Sequence, residues 1–337
     1  MVRAAVVGLG RWGRALVNAV HGNSSDIAFV AATTRTRAAA ASFCAERNLP
    51  LRDSYADILA DPDVDAVVLA TPHSQHERQV LEAVAAGKHV FVEKPITLDR
   101  ASARRAVETV RQAGLVLAVG FNRRFHPSIA EVRARLGDGR LGRLVAMVGQ
   151  QTSNTAPFLP ADNWRSHPEE SPAGSMTAVG VHLLDHMIEF AGRVREVYCL
   201  TRRVSASPTD DTTTVTLRFE SGVVGTIFCS ISTAPHFNFA VYGTKGLAEI
   251  SHTSLQTFRF TGVPDRPPEG HVVAPPPEVI EYAGFNMLGA ELAAFARSIR
   301  EKTPYPVDIE QVLHGMAVFD ALVESSRTGK VTPVPAG

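Results

Sequence analysis

The chain has 337 residues, 45% hydrophobic and 20% charged, a globular composition long enough for two domains with separate cores. Lysine plus arginine equals aspartate plus glutamate at 34 each, which excludes a strongly basic nucleic-acid binder and gives no attraction to an anionic membrane. The three cysteines, Cys44, Cys199 and Cys229, are far apart and form no metal or redox pair, and no export leader opens the chain, so a small-molecule partner and a cytoplasmic location are expected.

Residues 2–7 are an apolar run followed at once by Gly8-Leu9-Gly10-Arg11-Trp12-Gly13 and a helical pattern over 14–20. Strand, glycine turn and helix in that order predict a dinucleotide cradle. Gly8 permits the tight turn, Gly10 lets backbone approach a pyrophosphate, and Gly13 lets helix and strand pack closely. Arg11 and Trp12 lie within the turn and belong to the expected cofactor site.

Residues 27–32 read as the second strand, at whose end an acidic residue usually meets the adenosine ribose. Here the end reads Thr33-Thr34-Arg35-Thr36-Arg37. Hydroxyls and guanidinium groups without a carboxylate favour a 2′-phosphate, so NADP(H) is preferred over NAD(H), with Thr34 and Arg35 as contacts. A third strand, 65–70, delivers Thr71 and Pro72 beside the cofactor, with His76 near the next helix start as a further contact or a helix cap. A fourth run, 89–92, ends in Glu93-Lys94-Pro95. A lysine at the rim of a parallel sheet, where such sheets bind ligands, can carry a proton once partly desolvated; the alternative is a strand that simply stops at a proline. The helix 100–112 and the strand 116–119 lead to Gly120-Phe121-Asn122-Arg123-Arg124.

Beyond about residue 123 the pattern changes to longer strands: 144–152, 194–204, 212–219, 223–232, 237–242 and 247–260. A mainly antiparallel sheet in a second domain is expected, with 261–278 as an irregular excursion and helices over 287–300 and 308–326. The predicted domains are 1–122, binding cofactor, and 123–337, binding substrate. A helix from Ala178 onward places His182, Asp185, His186 and Glu189 on one face. A catalytic histidine oriented by Asp185, a metal site, and a solvated face all fit that pattern. Asn122, Arg123, Trp164 and Arg165 are candidates for holding a polyol or an acidic sugar, or for packing between domains.

Read together, Gly8-x-Gly10-x-x-Gly13, Ala70-Thr71-Pro72 with His76, Glu93-Lys94-Pro95, Gly120-Phe121-Asn122 and Gly180-Val-His182-Leu-Leu-Asp185 resemble the glucose-fructose oxidoreductase / inositol dehydrogenase / MocA family. The resemblance implies an N-terminal Rossmann domain with a doubly wound parallel sheet, and a C-terminal α+β domain whose large open sheet serves in homodimer or homotetramer contacts. It also implies redox chemistry on a polyol or keto-sugar, with no metal. Lys94 would touch the reacting oxygen, Pro95 would shape the turn at the nicotinamide, and His182 would be the second proton-handling group, with Asp185 fixing its imidazole. Lys94, Arg123, Trp164, Arg165 and His182 would bind substrate; Glu93, Lys94, Pro95 and Asn122 would line the cofactor. One departure is visible: where many members carry an aspartate four residues before the histidine, this chain has Ala178. An NAD-dependent glycosidase using transient oxidation, and a non-catalytic NAD(P)-binding regulator, are the alternative functions.

Overall fold

Nearly continuous apolar strands with helices between them can only be satisfied by a parallel sheet covered on both faces, and the first unit is built that way. Its elements are β1 (Val2–Val7), α1 (Arg11–Val20), β2 (Ile27–Thr33), α2 (Arg37–Glu46), α3 (Tyr55–Ala60), β3 (Ala66–Leu69), α4 (His76–Ala85), β4 (His89–Glu93), α5 (Arg100–Gln112) and β5 (Leu117–Gly120). The strand order is β2-β1-β3-β4-β5, all parallel. The order reverses between β1 and β3, so the carboxyl ends of these strands frame the ligand crevice of an open α/β sheet. Ala4, Ala5 and Val6, Val67 to Leu69 and Val90 to Val92 are fully buried. This computed structural model describes residues 1–160, 162–205, 208–264 and 275–335.

The second unit contains α6 (Pro127–Gly137), β6 (Leu144–Asn154), α7 (Val181–Ala191), β7 (Val194–Arg202), β8 (Thr212–Phe219), β9 (Val224–Ser230), β10 (Ser232–Gly243), β11 (Gly246–Ser251), β12 (Thr257–Gly262) and β13 (Glu278–Glu281). The chain closes with α8 (Met287–Glu301), α9 (Ile309–Thr328) and β14 (Thr332–Pro333). The nine strands run in the order β13-β12-β11-β10-β6-β9-β8-β7-β14, antiparallel except for β6 beside β9. Register fixes one face as core: Cys199, Val215, Ile227, Gly149 and Phe239 align across five strands and all are buried. α7 packs on that face. A Cβ on Gly149 would lie 2.9–3.2 Å from the Leu183 side chain, so glycine is what lets the helix approach.

Three expectations change. The run 247–260 is two strands, because residues 252–256 turn the chain with His252 and Leu255 at φ of 75° and 62°. The excursion 261–278 begins as the end of β12 and ends at β13, and residues 265–274 lie outside the described residues. The units divide at Asn122/Arg123, but Asn286–Leu313 returns to the first unit, so 123–337 is not one continuous domain. The physical reason is α8, whose apolar face buries Leu292, Phe295 and Ala296 against α1, β1 and β2. Among the described residues no helix is long and apolar enough to cross a membrane.

Candidate active site

The glycine turn has the sterics that the sequence requires. Gly8 has φ of +95°, and a Cβ there would lie 2.6 Å from the Ala70 carbonyl oxygen; on Gly13 it would lie 1.9 Å from the Gly8 carbonyl oxygen. These two positions lock the turn against β3 and against itself. Gly10 differs: a Cβ would meet nothing within 4 Å. Its missing side chain leaves open space at the start of α1, where no side chain caps the helix and no acidic residue occupies the first turn. The helix N-terminus therefore presents unsatisfied N–H groups and its positive dipole end to an anion. Trp12 Nε1 and Asn122 Oδ1 are among the buried polar atoms of this unit that lack a hydrogen-bond partner among the described residues. The open space at Gly10, the uncapped helix end and the Trp12 donor fit a dinucleotide.

At the end of β2, Thr33 is buried and Thr34 half-buried, while Arg35 is exposed and makes no ion pair among the described residues. Arg37 is engaged elsewhere, with its Nη2 2.9 Å from Asp53 Oδ1. No carboxylate occurs in the sequence from Thr33 to Arg37, and Asp53 stands beside Arg37 instead.

Lys94 follows β4, half-buried, and the Lys94–Pro95 peptide bond is cis. Thr71 and Pro72 lie at the end of neighbouring β3, and Thr71 Oγ1 donates to Gln79 Oε1 at 2.6 Å. His76 ties these turns together, with Nδ1 3.0 Å from the Pro95 carbonyl oxygen and Nε2 3.2 Å from that of Thr71. It is fully buried and braces the Lys94 turn.

In the second unit a five-residue π-turn, Met176–Gly180, precedes α7, so the regular helix starts later than Ala178. Such turns recur at functional sites, and here one sets the entry of His182, which is 7% exposed. Asp185 has a different first partner from the one expected. Arg124 grips it with two hydrogen bonds, Nε to Oδ2 at 2.8 Å and Nη2 to Oδ1 at 2.7 Å. Charged groups this deeply buried are stable only when paired, and the bidentate guanidinium is the strongest available partner, so Asp185 anchors α7 through Arg124. Glu189 lies 3.7 Å from Arg124 and 2.9 Å from Arg133 Nε. Burial alone would raise its pKa, but the His186 ring 3.8 Å away and the two guanidinium groups outweigh that and hold it at about 2. At 3.8 Å the His186 contact is too long for a hydrogen bond. His186 itself is fully buried, stacked with Phe190 and tilted against Phe239, a core residue. Among the described residues no cluster of three or more histidine, cysteine or acidic side chains could hold a metal.

Arg123 donates to Gln151 Oε1 at 2.8 Å and its guanidinium lies 4.9 Å from the centroid of the Phe237 ring. No carboxylate is within ion-pair distance among the described residues, and burial lowers its pKa to about 10. Gln151 and Phe237 are both neutral. Arg165 stacks on Trp164 at 4.1 Å, on the same short 3₁₀ turn. Sequence reading missed Arg124 and Gln151; the doubled arginine after β5 was the available signal for the first, and nothing local marks the second.

Residues 2–121 match an oxidoreductase family with an NAD-binding Rossmann fold, and residues 129–249 match the GFO/IDH/MocA C-terminal domain. The trans-1,2-dihydrobenzene-1,2-diol dehydrogenase of Bos taurus is 31% identical over 223 residues, 66% of this chain and 65% of that protein, so the chain spans just under two-thirds of that relative's length. The 1,5-anhydro-D-fructose reductase of Ensifer adhaerens is 26% identical over 328 residues, 96% of this chain and 95% of its own. Among solved structures, a levoglucosan dehydrogenase in complex with NADH and levoglucosan superposes with a TM-score of 0.89 at 19% identity, covering 99% of this chain and 100% of that one, a likeness of fold. With both halves matched in chain order, the protein belongs to the Gfo/Idh/MocA oxidoreductase family.

Proposed function

We propose that this chain is an NAD(P)-dependent oxidoreductase that transfers a hydride between nicotinamide and a hydroxyl or keto carbon of a sugar, cyclitol or related polyhydroxylated compound. The observation that carries the reading is the open space at Gly10, on the same sheet edge as half-buried Lys94. The cited relatives are named for a cyclic diol and an anhydro-keto-sugar, which supports the substrate class. When bound, the nicotinamide ring supplies hydride transfer. The chain's own residues position the substrate and move the proton. Lys94 and His182 share the hydroxyl proton, as base in oxidation and acid in reduction, while His76 braces the Lys94 turn. Arg123, Trp164 and Arg165 hold the polyol, and Arg123, whose hydrogen-bond partner Gln151 is neutral, favours an oxygen-rich or anionic group.

NADP(H) is the preferred cofactor and NAD(H) is accepted, because Thr34 and Arg35 offer donors where a carboxylate would repel a 2′-phosphate. The chain forms a homodimer or homotetramer through the outer face of its nine-stranded sheet. Leu200, Thr214, Phe228 and Gln150 align there, and Leu200 and Phe228 are 51% and 38% exposed. It acts in the cytoplasm, consistent with three buried free thiols.

Thermal unfolding with NADPH, with NADH and without nucleotide, followed by nicotinamide absorbance against a panel of polyols and keto-sugars, tests the proposal. Stabilisation by neither nucleotide refutes it. Lys94→Ala should keep nucleotide binding and lose turnover by about 10²–10⁴-fold.

A further inference from the structure

One acidic side chain of the cofactor unit has no part in the reaction as drawn. Glu291 lies in the apolar run of α8, is fully buried, and neither carboxyl oxygen has a hydrogen-bond partner among the described residues. An ionised carboxylate in such a place is strongly unfavourable unless a cation compensates it.

Glu93, the last residue of β4, is what faces it. The ring of Phe91, two residues earlier on the same face of the strand, meets Phe295 edge-on at 5.8 Å between centroids. Two strand residues advance about 6.6 Å and four helix residues about 6 Å, so Glu93 and Glu291 stand at matching steps from this contact, and the Glu93 charge acts on Glu291. The Glu93 carboxyl lies over β5, where a Cβ on Gly120 would come within 3.0–3.2 Å of its carboxyl atoms. Among the described residues, several charged groups of the elements packed near α8 have partners of their own. Arg14 of α1 donates to the carbonyls of Leu9 and Ala39, Arg3 of β1 binds Asp63 and Asp65, Asp26 before β2 pairs with Arg300, and Lys88 donates to the carbonyls of Asp61 and Val64. Arg11 is exposed.

We infer that Glu93 and Glu291 hold one proton between them, carried by Glu291, and that Glu291 is a positioning residue which fixes the charge and placement of Glu93 and, through it, of adjacent Lys94. Burial first, and the Glu93 charge second, hold the Glu291 carboxyl well above the usual carboxylate range. The pair then carries one negative charge. A second charge would favour protonated Lys94 and weaken it as a base.

The kinetic part of this inference rests on reading Lys94 as the proton carrier; the proton count does not, so the two can fail separately. The full chain is compared with Glu291→Gln and Glu291→Leu. Urea midpoints are measured from about pH 5 to about pH 8, above the ordinary glutamate range. A native state holding about one extra proton loses stability as pH rises through this window, and Glu291→Gln removes that slope. Infrared spectra of the native protein should show a protonated carboxyl stretch that Glu291→Gln abolishes. Equal slopes, or no such band in the native protein, overturn the bound proton. With NADPH and the keto-sugar found active, Glu291→Leu should lower kcat about tenfold or more while KM and the nucleotide Kd stay within about twofold, and Glu291→Gln should restore kcat. Unchanged kcat in Glu291→Leu overturns the positioning role.

Discussion

Gly10→Ala separates a cofactor cradle from a merely structural glycine turn. The added Cβ meets nothing within 4 Å, and Gly10 has φ of −69°, which alanine adopts without strain. Stability without nucleotide should therefore change by no more than about 1 kcal/mol, the size expected of a compatible Gly→Ala change. The same methyl occupies the space a pyrophosphate needs against the backbone. Losing one charge-assisted hydrogen bond costs about 1.5–3 kcal/mol, so the Kd for NADPH should rise roughly ten- to a hundredfold. Gly13→Ala is the opposite control. Its Cβ would lie 1.9 Å from the Gly8 carbonyl oxygen, so it should destabilise the chain with or without nucleotide. Urea unfolding without ligand and fluorescence titration with NADPH give both quantities on one preparation. A Gly10→Ala protein as unstable as Gly13→Ala, or one that binds NADPH like the parent, would refute the cradle.

Arg35→Ala should weaken NADPH binding about tenfold while leaving NADH within about twofold; equal losses for both would remove the 2′-phosphate contact. Arg124→Met leaves Asp185 buried without its guanidinium, so urea unfolding should show a loss of about 3–5 kcal/mol. Glu189 is held at about 2, below its unfolded value, so its contribution is present above the ordinary carboxylate range and lost as pH falls from there through about 2. Acid titration of stability should accordingly be shallower in Glu189→Gln over that window. Gly149→Val pushes a side chain into Leu183, 2.9–3.2 Å from the new Cβ, and should cost about 1–3 kcal/mol by displacing α7.

What the sequence made legible was local or periodic. The glycine turn could be read because its sterics involve residues next to it, and the second sheet because alternation survives in every long strand. The Ser54/Asp57 capping box that starts α3 was equally local and was passed over. The break between β11 and β12 was hidden because His252 and Leu255 take positive φ without glycine or asparagine to mark the turn. Partner choice was hidden for another reason. Asp185 and His182 lie on one helix, so proximity in sequence suggested a dyad, but ion pairing is decided by which cation is buried alongside. Arg124 is remote in sequence and close in space. The two carbonyl partners of His76, each on a different turn, were hidden likewise.

The return of Asn286–Leu313 to the cofactor unit shows why a single boundary could not describe this chain. Asn286 caps α8 and donates to the Ala19 carbonyl at 2.8 Å; at the other end Arg300 holds Asp26 at 2.6 Å. The two clamps bracket the segment that links α1 to β2, and Phe295 between them packs on Phe91 of β4. The helix thus closes one face of the parallel sheet, which would otherwise expose apolar residues. It also delivers Glu291 to the strand that ends at Lys94. An acidic residue in the middle of an apolar helical run is unfavourable for packing alone, and leucine there would bury more apolar surface. A carboxyl group in that position makes physical sense when its proton is put to use, and the side chain it faces is the one beside the lysine.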